Sequence, residues 1–79
     1  MKEDKKYVVP DSIKQVGVNI RDTAKKKDIK LRYIAEDCDM DVEVLRRYVN
    51  GKNVMRLDRA MAIAKALGID MNELCKGAF

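Results

Sequence analysis

Two cysteines and no histidine bound the chemistry this chain can attempt. Cys38 and Cys75 stand far apart, without the paired spacing or the histidine partners of a zinc site. Acid–base catalysis would fall to carboxylates or lysines. These lie in helix-surface patterns with no glycine-rich phosphate loop beside them, so no enzyme is expected and no cofactor, metal or small-molecule ligand is evident. Both thiols read as small apolar groups to be buried, as suits a protein of the reducing cytoplasm. The chemistry left is that of charge. The net charge is +4, with 38% of residues charged, an excess that permits nucleic-acid binding without demanding it. It is unevenly spread: residues 1–35 sum to +5, residues 36–43 to −5 with no basic member, and residues 44–79 to +4.

The elements that must carry these charges are helical. A chain of 79 residues makes one domain, near the size at which a single core is only just sufficient. Three tyrosines and one phenylalanine are its only aromatics, which suits a compact all-α bundle better than a sandwich or barrel. No apolar run is long enough to span a membrane, and the charged stretch Met1–Lys6 is unlike a signal peptide. Residues 1–11 read as a short N-terminal arm, apolar at Tyr7, Val8 and Val9, and residues 12–79 as the domain. Ser12 and Gln15 form a capping-box pattern for a first helix running to about Lys26, with Ile13, Val16, Ile20 and Ala24 at helical spacing. Leu57–Leu67 reads as a fourth helix that buries Leu57, Ala60, Met61, Ile63, Ala64 and Leu67 and stops at Gly68. Asp70 and Glu73 then cap a short fifth helix holding Leu74 and Cys75.

Between these, Leu31–Asn50 has the pattern of a helix-turn-helix. Leu31–Cys38 and Val42 to about Val49 are its helices, with Ile34, Cys38, Met40, Leu45 and Tyr48 inward and Ala35 small where the second helix approaches. Asp39 falls at the turn, where a left-handed residue is wanted and Asp is tolerated. Asp41 is placed to cap the following helix. The same pattern also suits two amphipathic helices of a bundle that binds no DNA.

From about Ile13 to Gly77 the chain resembles the lambda-repressor-like, Cro-type helix-turn-helix family, the xenobiotic response element (XRE) family of bacterial and phage regulators. The landmarks are Ile34-Ala35, Leu45 and Tyr48, Asn50-Gly51-Lys52, and Ala64-Lys65-Ala66-Leu67-Gly68 with Asp70, Glu73 and Leu74 downstream. The resemblance implies a five-helix domain whose third helix enters the major groove, as half of a symmetric dimer on a two-fold operator. It implies a sequence-specific, repressor-like transcription regulator with double-stranded DNA as partner. Carried onto this chain, it makes Val42, Glu43, Arg46 and Arg47 base-reading: Arg to guanine, Val to a thymine methyl, Glu to a cytosine amino group. Arg32, Asn50, Lys52 and Asn53 become backbone contacts that position the domain. The apolar residues left over, Tyr7, Val8, Val9, Met71 and Phe79, are candidates for a homodimer contact.

The departures from the family pattern carry expectations of their own. Leu31 replaces a phosphate-contacting glutamine, and Lys30 and Arg56 stand where a capping Ser or Thr is usual, a loss of about 1 kcal/mol each. Ala24 and Val49 replace a buried arginine–glutamate pair together, and are expected to touch. The acidic block Glu36, Asp37, Asp39, Asp41 and Glu43 opposes phosphate approach. That opposition motivates the alternative function, a helix-turn-helix turned to protein contact or self-association with weak or no DNA binding.

Overall fold

The computed structural model describes residues 8–78, which form five helices and no strand. The first, α1 (Asp11–Lys26), is launched by Pro10, whose ring presets an extended entry and whose carbonyl takes the N–H groups of Ile13 and Lys14. The expected capping box is not made. The helix begins one residue before Ser12, so its hydroxyl lies inside the first turn, and Gln15 donates instead to Asn19 Oδ1 at 3.0 Å. Asp28, in the left-handed region at φ 58°, turns the chain after α1.

The two helices that follow, α2 (Leu31–Asp37) and α3 (Val42–Val49), meet at the turn foreseen for them. Asp39 has φ 54°, Met40 N–H closes onto the Ala35 carbonyl at 2.9 Å, and Asp41 Oδ1 accepts from Glu43 N–H at 2.8 Å. The Asp41 carboxylate therefore satisfies a free helix donor and sits at the positive end of α3. The entries to α2 and to α4 (Leu57–Leu67), at Lys30 and Arg56, have no side-chain cap. Gly68 at φ 73° ends α4, and Asp70 Oδ1 caps α5 (Met71–Leu74) through Glu73 N–H at 2.8 Å.

Ile20, Ile34, Leu45, Ile63, Leu67 and Leu74 are the largest fully buried side chains, so every helix gives at least one to the common core. The long α1 packs on α3, α4 and α5, while α2 packs on α3 and α4. Gly17 makes the α1–α3 approach possible: a Cβ there would lie 2.5 Å from the Tyr48 carbonyl oxygen and 2.8 Å from that of Val49. Asn19 then ties α1 to the end of the chain, its Nδ2 donating to the Leu74 and Lys76 carbonyls at 2.8 Å each. Ala24 and Val49 are both buried in the core. Val49's backbone, however, lies against Gly17, about 10 Å along α1 from Ala24.

Two residues expected in the core are outside it. Leu57 is 69% and Met61 55% exposed. The buried stripe of α4 is Ala60, Ile63, Ala64 and Leu67, and Leu57 and Met61 share the neighbouring i,i+4 row on its flank. Met55, in the loop before α4, is buried in their stead. In the arm, Val9 is only 6% exposed and Val8 is 77% exposed. None of the described helices is long and apolar enough to cross a membrane.

Candidate nucleic-acid interface

The hydrophobic periodicity of α3 decides which of its side chains face outward. Leu45, Tyr48 and Val49 are buried, which leaves Glu43, Arg46, Arg47 and Asn50 exposed on the opposite side, with Val42 half-buried at its start. Tyr48 is held from behind: Arg59 on α4 donates from Nη1 to its hydroxyl at 3.1 Å. A buried tyrosine needs such a partner, and here it pins the inner face of α3 to α4. Nothing in the local sequence marks Arg59 for this role, since the pair forms only when the two helices pack.

On the outer face, Arg46 Nη1 lies 2.8 Å from Glu43 Oε2. So the glutamate expected to meet a cytosine amino group is occupied, in the free protein, by the arginine expected to meet a guanine. Both side chains are more than half exposed, and such an i,i+3 pair stabilises by only a few tenths of a kcal/mol. Its effect is to orient Arg46 rather than to lock it.

Beside this face, Lys30, Leu31, Arg32, Val42 and Arg46 line an open notch of about 430 Å³ between the starts of α2 and α3. Two apolar side chains form part of its lining, and every charged residue lining it is a cation. Of the other expected backbone contacts, Asn50 and Lys52 are exposed and Asn53 is half-buried, all just past the end of α3. Gly51 takes φ 72° there, and Lys52 N–H closes onto the Arg47 carbonyl at 2.9 Å. The notch thus brings Arg32 of α2 beside Val42 and Arg46 of α3.

The acidic block divides by task. Asp39 makes the turn, Asp41 caps α3 and Glu43 pairs with Arg46. Glu36 and Asp37 are exposed at the end of α2 with no such duty. Cys38, next to them, is half-buried; burial, then the Asp37 charge, push its thiol above the ordinary range, while Arg59 pulls the other way. A thiol so disposed is a packing group rather than a nucleophile. Among the described residues no three potential metal ligands are gathered.

The candidate dimer residues that are described differ in exposure. Val9 is already buried within its own chain, Met71 is half-buried against the core, Val8 is exposed, and Tyr7 and Phe79 lie outside the described residues.

A helix-turn-helix family model matches residues 20–74, from the middle of α1 to the end of α5. The crystal structure of the clp gene regulator ClgR from Corynebacterium glutamicum superposes with a TM-score of 0.82, covering 89% of this chain and 74% of that one at 20% identity. At that identity the likeness is one of fold. No curated protein sequence matches the chain.

Proposed function

The chain belongs to the helix-turn-helix family, and on that premise we propose that it is a sequence-specific DNA-binding transcription regulator, repressor-like in action. The carrying observation is the exposed side of α3, where Arg46, Arg47 and Asn50 stand beside the cationic notch. Inserted in the major groove, α3 brings Arg46 and Arg47 to base edges, where a guanidinium bonds guanine O6 and N7 in a bidentate way. Val42 meets a thymine methyl. Glu43 either accepts from a cytosine amino group or keeps Arg46 aimed. Arg32, Asn50, Lys52 and Asn53 hold the phosphates and so fix register without reading sequence. Two copies bind half-sites about one helical turn apart, which gives the affinity that regulation requires.

Selection of bound duplexes from a random pool by the purified protein, repeated at two salt concentrations, tests this reading. Enrichment of a two-fold motif, with affinity falling as salt rises, is the expected result. A protein that binds no duplex in a salt-sensitive way would exclude it. The second reading, protein contact through the same fold, would then stand; the exposure of Leu57 and Met61 on α4 is the observation that favours it.

A further inference from the structure

The notch between the starts of α2 and α3 combines two features that a simple phosphate anchor does not need together. Its rim is cationic, from Lys30, Arg32 and Arg46, and its apolar lining is Leu31 and Val42. Leu31 and Val42 are half-buried and pack on the core, so the carbons they leave open are held in place rather than free to fold away. Leu31 can offer no hydrogen bond to a phosphate. With Val42 it offers a fixed apolar part of the notch lining.

One feature of duplex DNA suits such a lining. The thymine C5 methyl is the only apolar group that a base presents at the major-groove edge, and it projects beside its own strand's backbone. We infer that the notch is a methyl-recognition subsite, in which Leu31 and Val42 enclose a pyrimidine 5-methyl while Lys30 and Arg32 hold the adjoining phosphate. Leu31 on α2 is then a specificity-determining residue outside α3. The inference rests on the DNA-binding reading and deepens it: one thymine in each half-site is chosen by its methyl and not by its hydrogen-bonding edge.

The test alters the DNA, so folding is not at stake. In a duplex selected by the wild-type protein, each thymine is replaced singly by deoxyuridine, which removes the methyl and keeps the base pair. Binding is expected to weaken about fourfold at one position per half-site, the ratio set by burying one methyl-sized group. With Leu31→Ala, shown by its melting curve to be folded, that ratio should fall toward one at the same position. If the duplex is bound but no deoxyuridine weakens it, or if Leu31→Ala keeps the full ratio, the subsite is wrong and the DNA-binding reading survives. Failure to select any duplex would remove both.

Discussion

Arg47 lies in the last turn of α3 and Lys52 just past its end, its N–H on the Arg47 carbonyl, yet they have different work in the proposed complex, and substitution separates the two. Arg47→Ala should cost about 1 to 3 kcal/mol of specific binding and relax preference at one base position. Lys52→Ala should weaken all sequences alike and make the salt dependence shallower by about one counterion. Titration of selected and scrambled duplexes at several salt concentrations reads both; equal behaviour of the two variants would refute the division of labour. A second residue-scale prediction concerns the core. Val49 is 4% exposed, and among the described residues no polar or charged side chain is buried in the core to meet a charge there. Val49→Glu should therefore bury an unpaired carboxylate and destabilise by roughly 3 to 5 kcal/mol, and a denaturation midpoint close to wild type would refute that.

At the scale of elements, the position of α3 depends on how closely α1 approaches it. Gly17 lies in the middle of α1, where alanine is a better helix former by about 1 kcal/mol. Propensity alone would make Gly17→Ala stabilising. The added Cβ would meet the Tyr48 carbonyl oxygen at 2.5 Å, and backbone cannot swing aside as a flexible side chain can. The helices must separate, so the expected outcome is a net loss of about 1 to 3 kcal/mol, measured by chemical denaturation. An increase in stability would mean that α1 and α3 sit farther apart. The Asn19 amide makes a second such tie, to the carbonyls of Leu74 and Lys76, and helps a helix as short as α5 to stay docked.

For the whole molecule the open quantity is the number of copies at work. Two chains are expected on a duplex carrying a two-fold site, so sedimentation of the complex should show twice the 9.0 kDa of a single chain beyond the mass of the DNA. Because Val9 is buried within its own chain, a truncation that probes the arm should remove residues 1–8 and leave Val9 in place. If pairing runs through the chain ends, that truncation or loss of Phe79 lowers cooperativity on the duplex. If only Leu57→Ser with Met61→Ser lowers it, the contact lies on α4 instead. One chain per duplex at saturating protein would rule out pairing.

Much of this protein is legible in its residues because the deciding forces act within a few positions. The helix bounds around the turn follow from Asp39 tolerating positive φ and Asp41 capping α3, the stop of α4 from Gly68, and the cap of α5 from Asp70. Periodicity likewise tells that Leu45 and Tyr48 turn inward, which leaves Arg46 and Arg47 out. Where a local pattern misleads, a nearer local signal or packing has overruled it. Ser12 and Gln15 spell a capping box that Pro10 pre-empts by starting the helix earlier, and Leu57 and Met61 keep helical spacing but fall on the flank of a stripe that Ala60, Ile63, Ala64 and Leu67 fill. The features found only in the fold link residues far apart in the chain: Gly17 under Val49, Asn19 on the last turn, Arg59 behind Tyr48, and Leu31 sharing the notch with Val42. Local sequence specifies each helix and its ends, because caps and periodicity need only near neighbours. Which faces meet, and so which side chains share a surface, is settled by the burial of all the helices at once.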